Sequence, residues 1–504
     1  MSSTPLLPLL VLLPLLGAAL SLVAARRPTV QAAIALVVTL GATALAVATL
    51  VTVDHDGPVR VVTSIPGASV GLTLDLYADR FAAMMLVIAT AMLSAVLVYA
   101  QGQNAASERS SWYHPAYLVL VAGVSAAFVA ADLFNLFVAV ELLLMSSYVL
   151  ITLEGDDDQV RSGTTYVVLN VLESTLLLMA VALVFAATGT LSFFELPARL
   201  AALPDGVRVG LNVLLLTAFG LKAAVFPLFS WLPDSYPAAP GPVTAIFAGL
   251  LTKIGVYALI RTETLLFPGG QRTLLLWVAG FTMIVGVLGA IAQSDMKRIL
   301  SFHIVSQIGY MVMGLALGGV GALAATIFFV LHQIPVKTSL FLVEGLVEAE
   351  TGTSTLDKVG GLARRSGPLA VMFLLSAMSL AGLPPLSGFV GKVGIISAGL
   401  DQRQWVLVGV ALVGSLLTLV SMLKIWTGVF WGDAMPADAR PGVLRHHRRM
   451  ATSTVAVVGL GLAIALSAGP LYRFAERAAG ELDAPAHAAE RPGTAAPVGP
   501  GGHP

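Results

Sequence analysis

The sequence predicts an all-α, polytopic membrane protein of about fourteen transmembrane helices. Three observations carry that reading: the composition is too apolar for a soluble domain, apolar segments of spanning length recur along most of the chain, and lysines interrupt several of them. Of 504 residues, 57% are hydrophobic and only 11% charged. A soluble domain carries about 25% charged residues. A helix needs about 20 apolar residues to cross a bilayer. Such segments fall at about 4–24, 29–52, 79–100, 112–131, 133–152, 160–187, 208–234, 243–263, 273–293, 299–318, 320–345, 370–400, 405–431 and 450–474.

The first segment, within MSSTPLLPLLVLLPLLGAALSLVAARR, has no basic residue before its apolar stretch, and Arg26 and Arg27 follow it. That order reads as a first transmembrane helix and not as a cleaved signal. With the N-terminus outside, the loops assigned to the cytoplasm hold thirteen Lys and Arg, from Arg26 to Arg449, and the opposite loops and helix edges hold seven. The positive-inside rule therefore predicts both termini outside, in the cell inner (plasma) membrane. The stretch 478–504, rich in Ala, Pro, Gly and His, reads as a disordered tail.

The seventh and twelfth segments are broken in similar ways. LKAAVFPLFSWLPDSYPAAPGPV places Lys222 five residues before Pro227, and LAGLPPLSGFVGKVG follows Pro384 and Pro385 with Lys392. Proline removes a backbone donor and opens the helix. Within a bilayer that is tolerated only where the freed groups face protein or a water-filled cavity. Prolines kink many membrane helices; the lysine beside each break sets these two apart. Paired broken helices in two halves of a chain point to an ion path. They divide the chain into helices one to three (1–110), a first five-helix repeat (111–264), a second (272–432) and a last span (450–475). An odd helix number per repeat inverts the second copy.

Five of the seven lysines, Lys222, Lys253, Lys337, Lys392 and Lys424, lie in apolar runs. Each costs about 2.5–3.5 kcal/mol at a helix centre on insertion scales. A desolvated lysine releases its proton readily, whereas arginine stays charged. Several such lysines point to proton or ion movement. Glu141, about ten residues into DLFNLFVAVELLLMSSYVLI, is either a neutral core glutamate or the partner of a lysine, and Lys222 is the expected partner. Lys253 has no acidic residue within a turn, so its partner comes from another helix. His332 and Lys337 share one helix, and His332 suits a relay because its pKa lies nearest physiological pH. Gln333, Ser301, His303, Ser306 and Gln307 either hold relay water or simply pack. Glu173 is a weaker candidate, and Asp132, Asp234, Arg261 and Glu263 are placed near the interfaces. Lys424 is either a lysine snorkelling to the cytoplasmic surface or an exit gate.

Other chemistries are excluded. The chain has no cysteine, hence no disulfide and no cysteine-ligated cluster. GFVGKVG lacks the first glycine and the Ser/Thr of a phosphate loop. No HExxH, G-x-S-x-G or GxGxxG context suggests an enzyme or a bound cofactor, and nothing suggests nucleic-acid binding. Energy must come from an ion gradient or from partner subunits.

DLFNLFVAVELLLMSSYVLI, LKAAVFPLFSWLPDSYPAAPGPVTAIFAGLLTKIGVYALIR, HQIPVKTSLFLVEG and LAGLPPLSGFVGKVG, in that order over about 110–430, resemble the antiporter-like subunits shared by respiratory complex I and Mrp-type cation/proton antiporters. WLPDSYPAAPGPVTA and a lysine at 392 are most similar to the D-type subunits of Mrp antiporters. The resemblance implies fourteen helices, inverted repeats at helices 4–8 and 9–13, and a polar axis along the membrane. It makes Glu141 and Lys222 a charge pair, Lys253 a bridging lysine, His332 and Lys337 a relay, and Lys392 the terminal lysine. Members often carry a second histidine where this chain has Gln333. The function implied is proton translocation coupled to Na⁺ export, with other small membrane subunits as partners. The alternative is a proton-pumping subunit of an NADH–quinone or hydrogenase-type complex, with the same residues driven by electron transfer elsewhere. A third possibility is a non-translocating scaffold.

Overall fold

The computed structural model describes residues 6–63, 74–103, 105, 107–153, 155, 157–432 and 447–483. Helices α1 (Leu6–Val23) and α2 (Pro28–Asp56) lead into a hairpin of β1 (Val59–Thr63) and β2 (Leu74–Ala78). Then come α3 (Arg80–Gln103), α4 (Tyr113–Val129), α5 (Leu133–Ile151), α6 (Asp157–Thr188) and α7 (Asp205–Ala223). The chain continues through α8 (Gly241–Leu266), α9 (Arg272–Ala292), α10 (Met296–Leu317) and α11 (Gly319–Thr351). It ends with α12 (Gly367–Ala381), α13 (Ser387–Asp401), α14 (Trp405–Trp431), α15 (Arg448–Leu466) and α16 (Ala468–Asp483). Among the described residues twelve helices are long and apolar enough to cross a membrane, and α4 and α12 are shorter apolar helices.

The helices sort by burial. The most apolar stretch of α8 is wholly buried, and α10, α11 and α3 follow at 94%, 83% and 78%. By contrast α1, α2, α6 and α15 bury only a third of theirs, leaving wide apolar faces for lipid. The centre is α11, which packs against α3, α8, α10, α12, α13, α15 and α16. A helix enclosed this way places its polar side chains away from lipid.

Both expected breaks are present. Ala224, with φ +59°, ends α7, and Gly382, with φ +85°, ends α12; a proline follows each three residues later, at 227 and 385. The residue at each C-terminus is left-handed, a common helix stop. At the first break, Trp231 Nε1 donates to Leu221 O at 3.1 Å and Phe226 N to Thr282 Oγ1 at 3.0 Å, so groups freed by the break find partners.

Other local constructions also occur twice, five helices apart. Asp132 caps α5 by accepting from Asn135 N at 2.7 Å, and its strand-like backbone bridges to Ser192. Asp295 caps α10 by accepting from Arg298 N at 3.0 Å and bridges to Thr355. Thr188 closes α6 by donating to Thr190 O at 2.8 Å; Thr351 closes α11 by donating to Thr353 O at 2.7 Å.

Three features differ from the sequence reading. The hairpin was not anticipated; Arg60 pairs with Asp75 across it and lies 3.9 Å from the Phe194 ring centroid. The last apolar segment is two helices, α15 and the amphipathic α16, separated at Ser467. Residues 478–483, read as the start of a loose tail, complete α16, because Ala475, Ala478, Ala479 and Leu482 bury one face. Residues 484–504 lie outside those described.

Candidate functional site

The first group of buried charges joins α5, α6 and α7. Lys222, only 2% exposed, forms an ion pair with Glu173 Oε2 at 3.4 Å and donates to Asn170 Oδ1 at 3.3 Å. Glu173 is 1% exposed, and its carboxylate makes no hydrogen bond. The contact partner of Lys222 is therefore Glu173 and not Glu141, correcting the sequence reading. The reason is packing order: α6 packs on both α5 and α7, so its carboxylate stands nearest the lysine. Glu141 is half-buried on α5, and its Oε1 has no partner among the described residues. It is a second carboxylate behind the first.

Lys253 follows on α8. Gly255, two residues on, lets α8 lie against the end of α7, since a Cβ there would stand 2.6 Å from Ala223 N. Only hydrogen allows that approach, which brings the helix of Lys253 beside that of Lys222. The Lys253 ammonium, 2% exposed, donates to Ala248 O at 2.7 Å and to Thr252 Oγ1 at 3.4 Å. Ala248 lies in the π-helical turn Phe247–Leu251, a widened geometry frequent at functional sites. No acidic side chain pairs with Lys253 among the described residues.

Lys337 is fully buried on α11, and its Nζ has no hydrogen-bond partner among the described residues. α8 packs onto α11 beside it, since a Cβ at Gly249 would stand 2.4 Å from Thr338 Oγ1. His332, one to two turns earlier, bonds through Nδ1 to Ser387 Oγ at 2.8 Å, while its Nε2 is unpartnered. Gln333 donates to Gln307 Oε1 at 3.3 Å, leaving Gln333 Oε1 and Gln307 Nε2 free. His303 bonds to Ser421 through Nε2, and its Nδ1 is unpartnered. Such unpaired buried polar atoms are costly in a dry interior and are explained by unseen water or by chemistry.

Lys392 sits at the second break. Its Nζ donates at 3.1 Å to Leu380 O, Ala381 O and Ser415 Oγ, and lies 4.8 Å from the Tyr310 ring centroid. The two carbonyls are among those a helix C-terminus leaves free, and a cation is favoured there. Gly388 makes the arrangement possible: a Cβ there would fall 1.9 Å from Ser379 O and 2.9 Å from His332 Nε2. Lys424 does the same for α9, donating to Ile291 O at 2.9 Å and Gln293 O at 2.6 Å. That bonding makes it a helix cap.

Two groups that the sequence reading placed near the interfaces, Arg261 and Glu263, are buried within the protein close to the end of α8. Arg261, 4% exposed, is held by Asp79 (2.6 Å from Nη2 to Oδ1) and by Tyr257 (3.0 Å), which fastens α8 to the start of α3. Glu263, 6% exposed, accepts from Asn212 at 3.2 Å. Each breaks an apolar run, the same signal that marks the lysines.

These residues define a membrane protein built around a line of buried ionisable side chains, from Glu141 and Glu173 through Lys222, Lys253 and Lys337 to Lys392. Residues 130–418 match the model of the family described as NADH:quinone oxidoreductase/Mrp antiporter, TM. The D-type subunit of the Na⁺/H⁺ antiporter of Alkalihalophilus pseudofirmus is 42% identical over 412 residues, 81% of this chain and 83% of that one. A chain of the Mrp complex from a Dietzia species superposes with a TM-score of 0.89 at 34% identity, covering 97% of this chain and 99% of that one. A chain of respiratory complex I from Thermus thermophilus shares the fold, with a TM-score of 0.80 at 23% identity and coverage of 95% and 99%. The chain belongs to the NADH:quinone oxidoreductase/Mrp antiporter transmembrane family.

Proposed function

We propose that this chain is the proton-translocating subunit of a multisubunit Na⁺/H⁺ antiporter in the cell inner membrane, with both termini outside. It acts there beside other small membrane subunits, as a secondary transporter and not as a catalytic enzyme. The observation that carries the reading is the line of six buried or half-buried ionisable residues on α5, α6, α7, α8, α11 and α13, three of them lysines with no acidic partner among the described residues. The Alkalihalophilus antiporter relative and the likeness to the Dietzia Mrp chain support it. The twice-used caps, bridges and breaks support two inverted five-span repeats, α4–α8 and α9–α14, with α12 and α13 together forming one broken span, within a fourteen-span topology.

Protons enter from one side and pass between the lysines through hydrated stretches. Closing the contact of Lys222 with Glu173 strengthens its hold on a proton; opening it weakens that hold. Glu141 backs the pair, and His332 joins Lys337 to Lys392. A proton crossing 100 mV is worth about 2.3 kcal/mol, and a two-unit change in one lysine's pKa about 2.7 kcal/mol. The two are commensurate.

The test is Na⁺/H⁺ exchange in vesicles carrying the whole complex with Glu141→Ala, Lys222→Ala or Lys392→Ala. Loss of exchange with assembly preserved is the expected result; intact exchange in all three returns the chain to a scaffold. The family description also covers NADH:quinone oxidoreductases. Co-purification of iron–sulfur and quinone-site subunits would favour that second reading.

A further inference from the structure

We propose that Glu344 is a proton-carrying site that joins Lys337 to the face of the molecule opposite the N-terminus, an extension that rests on the translocation reading above. Glu344 lies on α11, is 1% exposed, and its Oε1 is buried without a hydrogen-bond partner among the described residues. It forms no ion pair among the described residues, so pairing does not explain its burial. A carboxylate inside a bilayer is costly, and such residues mark ion or proton pathways.

Its position supplies the connection. Seven residues separate Lys337 from Glu344, about two helical turns or roughly 10 Å, which puts both on one stripe of α11. Glutamate side chains in a helix lean towards its N-terminus, here towards Lys337. Another turn on, Glu348 accepts from Lys297 Nζ of α10 at 2.7 Å, and the Glu348 side chain is 40% exposed. The stripe therefore runs from the centre of the polar line to solvent. The ionisable groups facing Glu344 are Lys297 and Asp295 from α10 and its cap, Glu348 of its own helix, and Tyr99 of α3, whose hydroxyl donates to Leu342 O at 3.0 Å.

In the step, the Lys337 ammonium passes a proton along one or two waters to the Glu344 carboxylate, leaving a neutral amine and making the neutral acid. The acid releases that proton to water at the Lys297–Glu348 edge, which carries it off as hydronium, and Glu344 returns to carboxylate. No electron moves, and the proton is the only species transferred. In the proposed topology this face is cytoplasmic.

The experiment measures Na⁺/H⁺ exchange in vesicles with the whole complex carrying Glu344→Gln, Glu344→Asp, Glu348→Gln or Lys337→Ala. Glu344→Gln keeps the shape but carries no proton, and exchange is expected to fall about tenfold or more, with normal co-purification of the partner subunits. Glu344→Asp restores much of it, and Glu348→Gln, which takes the Lys297 ammonium's partner from the solvent edge of the path, lowers exchange by less than Glu344→Gln does. Wild-type exchange in Glu344→Gln beside lost exchange in Lys337→Ala overturns the Glu344 site alone; retained exchange in Lys337→Ala overturns the translocation reading beneath it. Should Glu344→Gln fail to assemble, the pH profile of Glu344→Asp decides. A shifted profile supports a titrating carboxylate, and an unshifted one overturns it.

Discussion

A lysine in an apolar run announces itself in sequence, because its cost in lipid demands a compensating reason. The partner of that lysine does not. Glu141 and Glu173 each interrupt an apolar helix, and only the packing of α6 between α5 and α7 gives Lys222 to Glu173. The resulting prediction is that Glu173→Gln lowers exchange at least as far as Glu141→Gln in the assembled complex, by about tenfold or more. Lys424 separates from the rest for the same kind of reason. It bonds two carbonyls at the end of α9, so Lys424→Met should lower thermal stability by about 1–3 kcal/mol and leave exchange nearly unchanged. Lys392 also caps a helix, and Lys392→Met should lower both.

At the scale of elements, most helix limits and both breaks were legible, because apolar length and proline act locally. The π-helical turns, the β1–β2 hairpin and the amphipathic α16 were not. A π turn has no simple sequence period, and the hairpin is a short pair between two spans. The start of α16 did carry a signal, Gly469 and Pro470 after Ser467, but continuing hydrophobicity outweighed it. α16 is fixed by charge as well as packing: Arg477 pairs with Asp54 at 2.8 Å, and Glu481 pairs with Arg80. At Gly388, α13 lies close against both α12 and α11. Gly388→Ala would force Ser379 O to move. Its expected cost is about 1–3 kcal/mol, read as a lower unfolding temperature, and a wild-type value would show that the two helices separate easily.

At the scale of the whole molecule, the orientation rests on charge asymmetry in the loops, and the chain offers a clean way to test it. It contains no cysteine, so single cysteines can be introduced without removing any. Cysteine at Gly269, in the α8–α9 connection, should react with an impermeant reagent from outside, and cysteine at Lys358, after α11, only from inside. The reverse pattern would invert the topology. The central claim is that the buried lysines act by gaining and losing protons and not merely by being positive. Arginine keeps the charge but does not release it. The most direct test is therefore Na⁺/H⁺ exchange by the intact complex with Lys222→Arg, Lys253→Arg or Lys392→Arg, scored against co-purification of its subunits. The account predicts normal assembly and exchange reduced about a hundredfold; arginine variants that exchange at the wild-type rate would contradict it.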